Sequence, residues 1–353
     1  MNFKKMLSLV LVVVMCLSIF SGCGENKENI TSTTTEITAQ NSSKTIALLG
    51  GNEDFGFFQS LKTGAEDAAE KYGFTLEYMG VQDDAEGVVN AHASSVDKAI
   101  GNDASGVVIL PDGEGYSEIY ARLYDAEIPV VQIDNLTEDD LEKIEARRKN
   151  PIVSMISTSY KEAGALCAEK LFEAVKEDVK KSADMFVVGV IQRDESISDK
   201  EKSNGFVEKF SELADADNEI KDKYKIEVES EDLIDSTISE LGDDNVKAVF
   251  ITHPSIADKV SDIVSADAEG YKHITFCGFD SGAKQLKWLG NENTAKFIGG
   301  AAQDAYKLGY NAVEQCVFSI QSKEVKNEIK VNAQWYDETN LDKMKQDKFI
   351  FEK

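Results

Sequence analysis

The sequence predicts an α/β protein of two similar lobes, each with a parallel sheet covered by helices on both faces. Three observations carry that prediction. Short, nearly continuous apolar runs alternate with longer segments of helical periodicity, the pattern of repeated β-α units. The alternation breaks at a charged stretch, residues 137–151 ("TEDDLEKIEARRKNP"), and then restarts. The chain has 353 residues, enough to fill two hydrophobic cores.

The N-terminus stands apart from this pattern. Lys4 and Lys5 precede an apolar stretch, Met6 to Phe20, whose only polar residues are Ser8 and Ser18. That is a signal-peptide layout, shorter than the roughly 20 residues that span a bilayer. Ser21-Gly22-Cys23 resembles the lipobox of bacterial lipoproteins, in which the cysteine is lipidated and becomes the mature N-terminus. Phe20 stands where a leucine or another small aliphatic residue is usual. Residues 1–22 are then a cleaved signal peptide and Cys23 holds the protein on a membrane surface. The alternative is an ordinary secretory peptide with an incidental cysteine. Residues 23–43 are rich in Asn, Ser, Thr and Glu and too polar to fold, which predicts a flexible tether.

From Lys44 the first lobe begins. "TIALLGG" reads as a buried strand, and 57–72 as a helix with Phe58, Leu61, Ala65, Ala68, Ala69 and Tyr72 on one face. "FTLEYMG", "GVVILP" and "IPVVQID" continue the strands, with helices near 85–101 and 115–126, the latter read as solvated surface. After the charged break, "IVSMIST", "MFVVGVIQ", "YKIEVES", "KAVFITH" and "HITFCGFD" read as strands. Helical stretches near 160–177, 200–213, 231–241 and 255–267 lie between or after them.

Composition removes several function classes. The net charge is −26, and loss of Lys4 and Lys5 makes the mature form more acidic still, so no positive field is available for nucleic acid. Beyond Cys16 and Cys23, the cysteines Cys167, Cys277 and Cys316 are dispersed, which argues against a disulfide scaffold or a zinc site and for buried small hydrophobes. The three histidines, His92, His253 and His273, lack metal-ligand spacing, and His92 is expected on a helix surface. Enzyme templates fail as well. "GFDSG" has the outline of a nucleophile elbow but places Asp280 where serine is required. "GGNEDFG" lacks the Lys-Ser/Thr ending of a phosphate loop, and no G-x-G-x-x-G opens a helix. No enzyme activity, cofactor or metal is expected.

Open parallel sheets bind ligands at the carboxyl ends of their strands. Those ends present Asn52 with the Phe55–Phe58 loop, Asp112, Asp134, Asn135, Thr158, Gln192, Arg193, His253, Asp280 and Gln303. Carboxylates, amides and nearby aromatics together suit a neutral polyhydroxylated molecule, whose hydroxyls need acceptors and donors while its C–H faces pack on rings. By pattern alone, Asp134 and Asp280 serve equally well as helix N-caps.

In these segments the chain resembles the type I periplasmic binding proteins, in particular the ribose- and galactose-binding branch that serves bacterial ABC sugar importers. The likeness runs from Lys44 to about Asp342. "FGFFQSLKTGAEDAAEKYGFTL", "IPVVQIDN", "VSMISTSYKEAG", "NGFVEKF", "KAVFITH", "CGFDSG" and "AAQDAYKLG" follow in the family's order, and "WYDETNLDKM" resembles its tail. The resemblance implies two Rossmann-like lobes joined by a three-segment hinge, a Venus-flytrap. Crossings near Thr158, Gln303 and residue 325 give a first lobe of 44–158 plus 304–325 and a second of 159–303 plus 326–345.

It also implies roles. Phe57 and Phe58 stack on the ligand ring, Asp134 and Asp280 accept hydroxyl hydrogen bonds, and Gln303 and Thr158 sit at the hinge. The chain departs from the family at Phe55, where a ligand asparagine is usual, at Leu110 for a polar residue, at Lys202 for a clamping arginine and at His253 for an asparagine. Arg193 is the candidate replacement for the missing guanidinium, since a lysine lacks its fork geometry. A more apolar pocket suits a deoxysugar, a nucleoside or an aromatic glycoside as well as a common sugar. The implied partners are a small ligand, expected to be a monosaccharide, ABC permease subunits and a membrane reached through the lipid anchor, with the protein a monomer outside the cytoplasm. A ligand sensor serving a membrane histidine kinase or chemoreceptor has the same fold. A sugar-repressor reading conflicts with the signal segment and the missing basic helix-turn-helix.

Overall fold

The computed structural model describes residues 44–81, 87–182, 184–194, 196–233 and 245–351. The signal segment, Cys23, the tether at 23–43 and most of the helix expected near 231–241 lie outside these residues.

In the first lobe, β1 (Thr45–Gly50), β2 (Thr75–Gly80), β3 (Gly106–Ile109), β4 (Val130–Ile133), β5 (Ile152–Thr158) and β11 (Glu328–Val331) form one parallel sheet, ordered β11-β5-β4-β3-β1-β2. In the second, β6 (Phe186–Gln192), β7 (Tyr224–Ser230), β8 (Val246–Ile251), β9 (Thr275–Phe279) and β10 (Lys296–Ala302) run parallel. There β12 (Gln334–Tyr336) is an antiparallel edge strand, in the order β12-β10-β9-β8-β6-β7. Among the described residues the α-helices are α1 (Gly56–Tyr72), α2 (Val88–Gly101), α3 (Ser117–Asp125), α4 (Glu138–Arg147), α5 (Tyr160–Lys181), α6 (Ile197–Ala216), α7 (Pro254–Ala266), α8 (Ala268–Tyr271), α9 (Ala283–Trp288), α10 (Ala305–Ile320) and α11 (Leu341–Gln346). Each sheet packs one hydrophobic cluster on each face, as strands apolar on both sides require.

The chain passes between the sheets after β5, after β10, and between β11 and β12. The third passage is therefore at residues 332–333 and not near 325. Residues 328–331 pair with Met155–Thr158 of β5, and Val331 is buried with Ile156 and Val313 of the first lobe, which holds this strand on the near side of the hinge.

The lobes repeat one helix-packing device. In the second, a Cβ on Gly164 of α5 would lie 1.9 Å from the carbonyl oxygen of Lys202, and one on Gly205 of α6 would lie 1.9 Å from that of Lys161. In the first, a Cβ on Gly64 of α1 would lie 2.0 Å from the Tyr306 carbonyl oxygen, and one on Gly309 of α10 2.0 Å from that of Leu61. Backbone lies on both sides, so an added methyl has nowhere to go. Gly164→Ala is expected to destabilise the protein by about 1–3 kcal/mol, read as a lower midpoint in thermal unfolding; an unchanged midpoint would show that the helices separate freely.

Two surface expectations are corrected. His92 is buried in α2, at 1% exposure. The 115–126 stretch buries Tyr116, Ile119, Tyr120 and Leu123, because α3 lies against the sheet. The charged break contains α4, which turns Ile144 and Leu141 toward the same cluster. Its Asp140 is wholly buried, accepting the amides of Gly115 and Ser117 at 2.9 Å each.

Candidate functional site

Asp134 and Asp280 occupy matching places, each one residue beyond the end of a strand, β4 and β9, with φ of 61° and 55°. Their amides donate to Ile156 and Ala301 of the neighbouring strands. This left-handed turn, which Asp tolerates, stops the strand and leaves the carboxyl group at the cleft end of its sheet. Neither residue caps a helix.

Two separate hydrogen-bonded links cross the hinge, one at each carboxylate. The Tyr160 hydroxyl of the second lobe donates its single proton to Asp134 Oδ1 of the first at 2.8 Å, and Thr158 Oγ1 at the end of β5 donates to Gln303 Oε1 at 2.7 Å. Gln303 then donates through Nε2 to Asp280 Oδ2 at 2.6 Å and through its amide to Oδ1 at 3.1 Å. Thr158 and Gln303 are buried, at 1% and 7% exposure, so their polar groups are committed to one another. Burial pushes the Asp134 carboxyl up to about 6, against the opposing pull of the Tyr160 hydrogen bond. Asp280 is raised by burial too, with the two Gln303 bonds opposing.

Behind these links lies a charge network. Lys202, 1% exposed, places Nζ 2.7 Å from Asp199 Oδ1, donates to the Thr252 carbonyl at 2.8 Å and stands 4.0 Å above the Phe279 ring. Arg193 donates to the same carboxylate through Nε (2.8 Å) and Nη2 (3.1 Å). Asp199 has no exposure; burial alone would raise its pKa, but Lys202 and Arg193 hold it well below the usual carboxylate range. Burial in turn pulls the Lys202 ammonium down, opposed by Asp199. Lys202 is thus occupied inside the second lobe, and the clamp role expected of it is not available in this geometry. The Arg193 guanidinium is a third exposed and reaches the cleft; its bonds to Asp199 and Ser196 occupy three of its five N–H groups.

The cleft has a volume of about 660 Å³. Phe58, Leu110, Asp112, Asp134 and Asn135 line it from the first lobe, and Arg193, Asp194, Ser196, Ser198 and Asp232 from the second. The Phe58 ring lies across Gly51, where a Cβ would be 2.2 Å from it, so this glycine is what lets the ring form the floor. Of the residues singled out by sequence, Phe58, Asp112, Asp134, Asn135 and Arg193 line the open space, while Thr158, Gln303 and Asp280 are hydrogen-bonded to one another on the hinge side. Phe55 is exposed at 39% at the start of α1. Phe57 packs edge-on to Phe58 at 5.2 Å and toward the core. His253 caps α7, its Nδ1 accepting from the Ser255 amide and hydroxyl; burial, with Arg193 and Lys202 close by, pushes its pKa down to about 3.

Sequence reasoning missed a second relay. The Asp112 amide donates to the Tyr116 hydroxyl at 2.9 Å, which lies 2.9 Å from His92 Nδ1, while His92 Nε2 is 3.3 Å from the Gly50 carbonyl. A hydroxyl has one proton. The Gly50 carbonyl can only accept, so Nε2 carries the His92 proton and Nδ1 accepts from the Tyr116 hydroxyl; burial pushes the His92 pKa down, which keeps this neutral tautomer. The relay fixes the loop that carries Asp112 into the cleft. Among the described residues no group of His, Cys, Asp and Glu is placed to hold a metal ion, and no helix is long and apolar enough to cross a membrane.

A family model described as periplasmic binding protein domain matches residues 46–324. No curated protein matches the chain. Among solved structures, it is similar to an ABC transporter, LacI family transcriptional regulator from Brachyspira murdochii (TM-score 0.76, 24% identity, covering 88% of this chain and 99% of that one). It is also similar to AraP, an arabinose-binding protein from Geobacillus stearothermophilus (0.68, 17%, 85% and 98%). A third is a carbohydrate transporter solute-binding protein from Agrobacterium radiobacter in complex with D-arabinose (0.65, 17%, 87% and 98%). At these identities the solved structures speak to the fold alone.

Proposed function

Because the chain belongs to the periplasmic binding protein family, we propose that it captures a small polar ligand, a sugar, between its lobes and delivers it to an ABC importer. The observation that carries this reading is the cleft itself. Both lobes contribute its walls, and the Tyr160–Asp134 and Thr158–Gln303–Asp280 hydrogen bonds tie them at the hinge. A ligand bonded to both walls favours the closed arrangement only by the contacts it gains there. Phe58 supplies a ring face, Asp112, Asp134 and Asn135 meet hydroxyls from the first lobe, and Arg193 meets them from the second. Several structural relatives are named for sugars, among them D-arabinose and a glucose-galactose pair, which supports the same class. Cys23 is proposed as the lipid anchor, with the tether carrying the folded lobes clear of the membrane.

A thermal-shift screen against pentoses, hexoses, disaccharides, nucleosides and amino acids tests the reading. A true ligand at about 100 times its Kd adds roughly 2.7 kcal/mol, a shift of several degrees. Stabilisation confined to a few related sugars is the expected result; stabilisation by nucleosides or amino acids alone would replace the ligand class.

A further inference from the structure

The last described residues join parts of the molecule that the three covalent passages do not. Two residues beyond helix α11, Lys348 takes φ 60°, with the Phe349 amide donating to the Met344 carbonyl at 3.0 Å and the Lys348 amide to that of Lys345 at 3.2 Å. This is a Schellman stop, which turns the chain sharply. Phe349 and Ile350, at 8% and 6% exposure, then pack into the second-lobe cluster with Trp288 and Phe297. The next residue does the opposite. Phe351 packs against the first-lobe cluster, edge-on to Phe57 at 6.5 Å and directly over Gly56, where a Cβ would come within 2.7 Å of its ring.

The hydrogen bonds divide in the same way. The Phe351 amide donates to Ser281 Oγ at 2.9 Å and its carbonyl accepts from that hydroxyl at 3.2 Å, with Ser281 adjoining Asp280 in the second lobe. The Ser60 hydroxyl of α1 approaches the Lys348 carbonyl at 3.5 Å. We propose that Lys348–Phe351 is a fourth, non-covalent crossing between the lobes, with Phe351 a positioning residue for the Phe57–Phe58 pair and hence for the aromatic floor of the cleft. Two apolar side chains anchor the segment in one lobe and the third engages the other. Movement of the lobes must therefore carry or break the Phe351 contact. Phe57, which touches both Phe351 and Phe58, links that contact to the cleft.

The proposal concerns how the lobes are joined and does not depend on which molecule the cleft takes, so its test contains no sugar. Amide hydrogen exchange and small-angle scattering are measured on the full chain and on Phe351→Ala, Gly56→Ala and the double variant. The Gln59 amide, which donates to the Phe55 carbonyl at 3.1 Å, reports on the start of α1. In Phe351→Ala its exchange is expected to quicken by about ten-fold, with an increased radius of gyration and unchanged protection in β1 and β9. Gly56→Ala, which removes nothing but pushes the ring away, should do the same, and the double variant should go no further than Phe351→Ala. Quickened exchange confined to residues 345–350, or an unchanged Gln59 amide in both single variants, would overturn the proposal.

Discussion

Replacement of Asp199 by alanine is expected to cost about 3–5 kcal/mol of unfolding free energy, more than any other single charge change in the second lobe. The reason is what it leaves behind. Lys202 is buried at 1% exposure, with Asp199 as its carboxylate partner and the Thr252 carbonyl as a neutral one. Without the carboxylate, the ammonium must stay charged in an apolar surrounding, with the Phe279 ring above it, or lose its proton on folding. Arg193, a third exposed, can turn to water, so Arg193→Ala should cost much less because Lys202 still neutralises Asp199. Chemical denaturation of the two variants measures the contrast. A loss below about 1 kcal/mol for Asp199→Ala would mean that Lys202 finds water or another acceptor.

The second large effect is a pH dependence centred on Asp134. Its folded pKa is raised, to about 6, above the unfolded carboxylate value near 4. A raised pKa means that the folded state holds the extra proton between those values. Asp134 therefore contributes stability that is fully present below about pH 4 and is lost as the pH rises through about 6. Two pH units correspond to roughly 2–3 kcal/mol. Asp134→Asn keeps an oxygen for the Tyr160 hydroxyl and cannot ionise. Between pH 4 and 7, wild type is expected to lose up to that amount relative to Asp134→Asn in denaturant unfolding. The comparison with the variant is needed because Asp280 and the −26 net charge act in the same direction. Parallel profiles for the two proteins would show that ionisation of Asp134 costs the fold nothing.

The shared logic of these effects is that the two lobes hold their strand-end polar groups differently. In the first lobe, Asp134 and Asp112 reach the cleft, with hydroxyls of Tyr160 and Tyr116 steadying them from behind. In the second, Asp199 gathers the positive charge inward, leaving one guanidinium at the cleft wall. The anion-rich lining, Asp112, Asp134, Asp194, Glu231 and Asp232 against Arg193, favours neutral ligands over anionic ones.

Much of this was legible in the amino-acid order. Apolar runs such as "AVFI" and "VVGVI" can be satisfied only by a sheet covered on both faces, and their restart after the charged break announces a second lobe. Strand β10 was not: Gly299 and Gly300 interrupt its pattern, because the Tyr336 carbonyl comes within 2.0 Å of where a Gly299 Cβ would be. The strand-end polar residues were also found by position, since a parallel strand must deliver its last residue to one edge of the sheet. Which of them face open space was decided elsewhere. Lys202 and His253 read as cleft residues, but one is drawn into a buried ion pair and the other into a helix cap. His92 and Tyr116 read as surface, yet packing against the sheet buries both and makes them the support of Asp112. Periodicity and strand ends are local properties, written along the chain. Side-chain partnership, the hinge passage at 332–333 and the turn of Phe351 into the opposite lobe depend on residues far apart in sequence, and only tertiary packing brings those together.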